Sequence, residues 1–358
     1  MNKFFPLNKR LALAFLLIIL AFAALPASAA QWEFVLLWQQ PIDGGVAAIA
    51  TGNLKGDAAA EIAVATWQND IRILSCSGAQ DTSFSAPPTR GNVTLLTIGH
   101  GAKENFVVAA TLWQPFVAAY APDGRRLWEY EDLKKAGVTG ITAVHSSASD
   151  LVAVSYTSKP GVRLLDKKGG IVATTPKVSS AFFVAGLDCD GDGKEEMLSN
   201  AEKSAEKSTS RLACYNQSGN FVKSVSFPGY PSLAITADVN NDGKKDIISY
   251  CGVDTITLGV WSRSGNEIWT AKLGKMSAPS ALVAADFDGD DKKEIAAAFP
   301  LGQIMIFKDA KQMAAVQSQQ KFPRIAAADV DSDGQVELLV GDGKGLRAFK
   351  VGPKASSE

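Results

Sequence analysis

One acidic segment recurs through the second half of this chain, and that repetition restricts its fold more than any other feature. Residues 187–197, 237–247, 285–295 and 328–338 align without gaps. Their last acids, Glu196, Asp246, Glu294 and Glu337, lie 50, 48 and 43 residues apart. Weaker copies extend the series backwards through Glu61, Asn105 and Asp150, at spacings of 44 and 45, with 46 more to Glu196. A period of about 47 residues marks small units that bury their apolar faces against one another rather than alone.

Each unit reads as four short strands. In the fifth, residues 232–237 lead into the acidic loop and 247–251 follow it. Residues 255–262 form the third strand, 264–266 a turn and 267–273 the fourth strand. Units of this length with four strands are propeller blades. Runs such as Ala326-Ala327-Ala328 and Ala284-Ala285 suit innermost strands, where the taper leaves little room. A helical solenoid would need a 3.6-residue period, which these runs lack. The expected fold is all-β: a seven-bladed β-propeller over residues 31–351, followed by a disordered tail over 352–358. Aliphatic–Trp pairs mark fourth strands at Leu127-Trp128 and Ile268-Trp269, and Leu37-Trp38 repeats the pair near the N-terminus. The last repeat stops after a third strand at 345–351. Residues 32–40 are therefore expected to complete blade seven and cover its open edge.

The acidic loops follow Asp-x-Asp/Asn-x-Asp-Gly-x-x-Asp/Glu. Oxygens at positions 1, 3, 5 and 9, with a backbone carbonyl at 7, can wrap a hard cation, and Ca²⁺ takes six to eight oxygens at about 2.3–2.6 Å. Softer metals ask for sulfur or imidazole, which these loops lack. The candidate ligands are Asp188, Asp190, Asp192, Lys194 and Glu196; Asp238, Asn240, Asp242, Lys244 and Asp246; Asp286, Asp288, Asp290, Lys292 and Glu294; and Asp329, Asp331, Asp333, Gln335 and Glu337. Position 7, a lysine or glutamine, contributes its carbonyl only. An EF-hand would place its last acid at position 12 between helices; here it stands at 9 and runs into a strand. Solvated turns share this composition, but four copies in one frame argue for about four structural Ca²⁺. The sixth loop departs by carrying Asp291 in place of Gly. In the first weak copy Lys55 stands at position 3, where its ammonium can take the cation's place, so no metal is expected. None is expected either in the shortened loops at His100 and His145, whose histidines read as turn or edge residues.

These loops resemble FG-GAP (VCBS-type) repeats, the calcium-loop blades of integrin α-subunit propellers, although the literal Phe-Gly and Gly-Ala-Pro signatures are absent. The resemblance implies a calcium-stabilised, extracytoplasmic propeller used for adhesion, ligand binding or as a scaffold. The aliphatic–Trp strands are also similar, more weakly, to quinoprotein-like propellers. In such propellers the face opposite the calcium loops commonly receives ligands. Here that face would carry Trp67, Gln68, Trp113, Tyr156, Tyr230, Asp254, Phe299, Phe322 and Arg324. Trp67, Trp113, Tyr156, Tyr230 and Arg324 are the candidates for contact, with packing between blades as the competing role.

Compartment and charge narrow the function. Residues 1–10 are basic, 11–25 are continuously apolar and 26–30 are small, which fits a secretory signal over 1–29 cleaved after Ala29 or Ala30. The chain is then exported, periplasmic or secreted, with no membrane span after cleavage and no cysteine at the site for a lipid anchor. The net charge of −1 includes that basic leader, so the mature chain is acidic and unsuited to nucleic acid. Cys76, Cys189, Cys214 and Cys251 show no CxxC spacing; disulfides are possible and buried thiols are the plainer reading. No GxSxG, HExxH or P-loop occurs. The expectation is a monomeric, non-enzymatic module binding an envelope or extracellular protein. A lectin for glycans, and less so a polysaccharide-active enzyme, are the alternatives.

Overall fold

The computed structural model describes residues 32–57, 59–86, 91–132, 136–146, 150–158, 161–175, 180–200, 210–252 and 254–354. The leader, the insertion at 201–209 and the last four residues lie outside them. The described residues form 28 strands in seven antiparallel sheets of four, without an α-helix. Blades 1 to 6 span residues 46–85, 95–131, 138–174, 184–227, 234–274 and 281–317 in chain order. Blade 7 combines Arg324–Ala328, Glu337–Asp342 and Gly345–Pro353 with the N-terminal strand Trp32–Pro41.

The first strand of each blade touches the first strands of both neighbours, and Arg324–Ala328 touches Val46–Gly52, so the ring is closed. Seven apolar clusters hold it, one in every gap between consecutive blades. Second strands such as Glu61–Thr66, Phe106–Ala110 and Glu294–Ala298 are buried on both faces. This explains their unbroken runs of Ala, Val and Ile.

The closing strand behaves as expected and adds one feature. Trp32 pairs with Pro353 and Pro41 with Gly345, which carries the last strand two residues beyond the expected end at 351. Trp32 and Phe34 enter the core between blades 6 and 7. Strict alternation would send Trp38 there too. A bulge between Leu36 and Trp38 turns it instead into the core between blades 7 and 1, so one strand closes two gaps.

The aliphatic–Trp marker also acquires a cause. In blades 1 to 5 the third and fourth strands are joined by one recurring turn. In blade 1 the Ser75 N–H donates to Ala79 O and the Gly78 N–H to Ser75 O; the same pair of bonds recurs around Gly124, Gly169, Gly219 and Gly265. Gly78 and Gly169 have φ of +82° and +76°. A Cβ on either would stand 3.0 Å from the ring of Trp38 or Trp128 on the preceding blade. Each indole is thus seated on its neighbour's turn, and only glycine leaves room.

The plainer reading of the cysteines is corrected at one pair. Cys189, in the fourth loop, is disulfide-bonded to Cys214 on the third strand of the same blade; Cys76 and Cys251 are free.

Candidate metal loops and the opposite face

All four acidic loops fold alike because their side chains cap their own backbone. The position-1 acid accepts the N–H of position 6: Asp188 from Gly193 at 3.3 Å, Asp238 from Gly243 at 2.8 Å, Asp286 from Asp291 at 2.8 Å and Asp329 from Gly334 at 3.1 Å. Position 5 accepts the N–H of position 7 in every loop, at 2.8–3.1 Å. Positions 4 and 6 are both left-handed. Gly191, Asn241, Gly289 and Ser332 hold position 4, and Gly193, Gly243, Asp291 and Gly334 hold position 6. Sequence reading identified the turn at position 6 but not the one at 4, where Gly, Asn and Ser obscure a shared conformation.

The acid at position 9 has a role that its motif does not announce. Glu196, Asp246, Glu294 and Glu337 each begin a second strand and are buried. One oxygen of each accepts the N–H of position 2: Cys189 at 2.8 Å, Val239 at 3.3 Å, Phe287 at 2.9 Å and Val330 at 2.9 Å. Glu61 does the same for Leu54 at 2.7 Å, although positions 1 and 3 of its loop are Asn53 and Lys55 and only Asp57 remains of the other acids. The last acid therefore pins the loop to the strand whether or not an ion is present.

The residues present fit a divalent cation unevenly. Oxygens of Asp188, Asp190 and Glu196, of Asp286, Asp288 and Asp290, and of Asp329, Asp331 and Asp333 lie within 4.8 Å of one another. The fifth loop gathers no such carboxylate trio, because its third position is the amide of Asn240. The second oxygen of Glu337 in blade 7, like Asp288 Oδ1 and Glu294 Oε1 in blade 6, is buried with no hydrogen-bond partner, as expected of donors aimed at a cation. Burial, with Asp331, Asp333 and Asp329 adding to it, pushes the Glu337 carboxyl up to about 7. Burial likewise raises Asp246 to about 6, and raises Glu196.

In blade 6 a cation is already present. The Lys308 ammonium bonds Asp288, lies 2.9 Å from Asp290 and 3.3 Å from Glu294, and sits 5.6 Å from the centre of the Trp32 ring. Burial pulls this lysine's pKa down, but the three carboxylates outweigh it and hold it above the ordinary range. In blade 1, Lys55 is 2.6 Å from Asp81 and 3.6 Å from Glu61. Blades 2 and 3 bring both histidines onto one carboxylate: His100 Nδ1 is 2.8 Å and His145 Nδ1 3.2 Å from Asp150. Sequence reading paired the histidines by position but did not identify Asp150 as their shared partner.

The 2–3 and 4–1 connections emerge at the other end of each blade. Trp67 and Trp113 are exposed there, and the guanidinium of the partly buried Arg324 lies 6.0 Å from the Trp67 ring while Nε donates to Ala47 O at 2.7 Å. Tyr230 is partly buried, and its hydroxyl bonds Asn200 at 2.7 Å. Two expectations are corrected. Tyr156 and Phe299 are buried in inter-blade cores: Tyr156 ends the second strand of blade 3, and Phe299 directly follows that of blade 6.

A closed ring of seven four-stranded blades with acidic 1–2 loops defines a β-propeller of the repeat-loop class. Residues 188–249 and 238–297 match the FG-GAP-like repeat, and the acidic loop of blade 7 follows the same pattern. No curated protein matches the sequence. Among solved structures, BBS1N in complex with ARL6DN is similar with a TM-score of 0.65 at 12% identity, covering 91% of this chain and 98% of that one. The WD40 β-propeller domain of Doa1 gives 0.62 at 12% identity, covering 90% and 98%. Both likenesses are likenesses of fold.

Proposed function

We propose that this chain is an exported propeller, stabilised by calcium in its acidic loops, that binds another protein in the cell envelope or outside the cell. The observation that carries the binding role is an arc of exposed apolar side chains opposite the acidic loops. Trp67, Trp113, Phe322 and Leu301 are 39, 56, 52 and 63% exposed. They belong to blades 1, 2 and 6 and the connection into blade 7, so they follow consecutive sectors of one rim. Exposed aromatics grouped on one face are unusual on a surface without a partner and are favoured at interface hot spots. The similar propeller BBS1N was crystallised with a protein partner, ARL6DN, which fits a scaffold rather than an enzyme.

Export is supported by the leader pattern of residues 1–29 and by the Cys189–Cys214 disulfide, since such bonds persist in oxidising compartments. Calcium is supported by the carboxylate groups and the unpartnered oxygen of Glu337. The test is retention of envelope proteins and of glycans on the immobilised mature protein, compared with a Trp67→Ala, Trp113→Ala variant. The expected result is a retained protein whose binding falls at least tenfold in the variant. Retention of a glycan instead, lost in the same variant, would make the exposed indoles a sugar platform. Binding unchanged by the double substitution removes this face from the argument.

A further inference from the structure

We infer that blade 6 is closed to calcium by its own lysine: the Lys308 ammonium occupies the cation position of the sixth loop, so the chain binds one ion fewer than its four acidic loops suggest. The inference rests on the calcium reading of the other loops. Three observations carry it.

The first is enclosure. Lys308 ends the strand Gln303–Lys308, and its side chain reaches across to oxygens from positions 3, 5 and 9 of the loop. Its side chain is 20% exposed, against 0% for Glu294. The Trp32 ring on its other side is itself buried. A calcium ion would need these same oxygens at about 2.3–2.6 Å and would tolerate no fixed positive charge among them. To admit one, Lys308 would have to withdraw from all three carboxylates and from the indole.

The second is comparison at the same repeat position. Register places Phe307 opposite Ile295 and Phe349 opposite Leu338, so Lys308 and Lys350 are equivalent. Lys350, however, is 40% exposed and pairs with Asp333 alone at 2.6 Å, whereas Lys308 Nζ also reaches the position-9 acid, Glu294, at 3.3 Å. Blades 4 and 5 carry Asn216 and Ser262 there, which are uncharged and turn inward to cap their own hairpin. A lysine at this position is therefore not enough; the enclosure by Trp32 and Glu294 distinguishes blade 6.

The third is precedent within the molecule. Lys55 reaches Glu61 in blade 1 from loop position 3, in a loop whose position-1 and position-3 acids are replaced by Asn53 and Lys55 itself. Blade 6 reaches a similar end from a different strand and keeps its acids. A tethered ammonium is always at hand, whereas a weak extracellular loop competes for calcium at about 10⁻⁴–10⁻³ M.

The test is the number of calcium ions per chain, by native mass spectrometry and by elemental analysis after equilibration in calcium, for the wild type, Lys308→Met and Lys350→Met. The expected result is one more ion in Lys308→Met than in the wild type, with no increase in Lys350→Met. An unchanged count in Lys308→Met overturns the inference. A wild type without calcium would instead sink the calcium reading, and the gain in the variant would still decide the role of Lys308. Should that variant fail to fold, reductive methylation of the wild type decides: Lys308 should be equally protected in chelator and in saturating calcium, and labelling accelerated by calcium overturns the inference.

Discussion

At the scale of single residues, the acidic motif encodes the loop's backbone at least as much as its ligands. Position 6 illustrates this. A Cβ at Gly193, Gly243 or Gly334 would meet nothing within 4 Å, so the requirement there comes from φ near +80° alone. Asp291 holds the same conformation at φ +69° and bears the strain of a side chain in it. Asp291→Gly should therefore stabilise the protein by up to about 1 kcal/mol, and Gly334→Ala should cost about 1 kcal/mol. Both would be read as shifts in denaturant midpoint. The sequence displayed the loop acids clearly because they recur in frame. It did not display that Glu196, Asp246, Glu294 and Glu337 spend one oxygen on a backbone N–H, since a ligand and a clamp require the same side chain at the same position. Lys308 was equally hidden: it stands 14 residues beyond Glu294, and only strand pairing brings it back to the loop.

At the scale of elements, strand number and order were legible because each blade repeats the same four runs, and the missing outer strand of blade 7 pointed to the N-terminus. The bulge after Leu36 was not legible, because alternation alone places Trp38 on the same side as Trp32. Its effect should be measurable. Trp32→Ala should lower stability by about 3–5 kcal/mol, as expected for emptying a buried indole site, and Trp38→Ala by less, since Trp38 is only partly buried. Because the two rings occupy different gaps, their effects in the double variant should add to within about 0.5 kcal/mol. Strong coupling between them would mean that the strand closes one core rather than two.

At the scale of the whole molecule, stability is shared among seven gaps, and the acidic loops load one end of blades 4 to 7 with charge. Without metal, the buried carboxyls of Glu337, Asp246 and Glu294 sit above their ordinary values, at about 7, 6 and 7. The folded state then holds protons that the unfolded chain has already released. Stability in chelator should therefore be highest near pH 5 and fall as pH rises towards 8. Calcium should remove most of that slope, because it stabilises the ionised form. At pH 7.5, 10 mM calcium should also add about 1.4 kcal/mol per occupied site if each binds near 10⁻³ M. Thermal melts across pH with calcium and with chelator check both; a midpoint indifferent to calcium at every pH would leave these loops as turns only.

The strand that closes the ring sets a condition on how the ring can be made. Trp32–Pro41 finds its partner about 300 residues later, in Gly345–Pro353. Until that partner is available, the first strand presents an unpaired edge together with Trp32 and Phe34, which the closed ring takes into its core. The other six blades can form from neighbouring segments as they appear, but the seventh is completed only when both ends of the sequence meet. Assembly is therefore slowest at its last step, and the interval before closure is when a half-made ring is most exposed to joining another chain instead of itself.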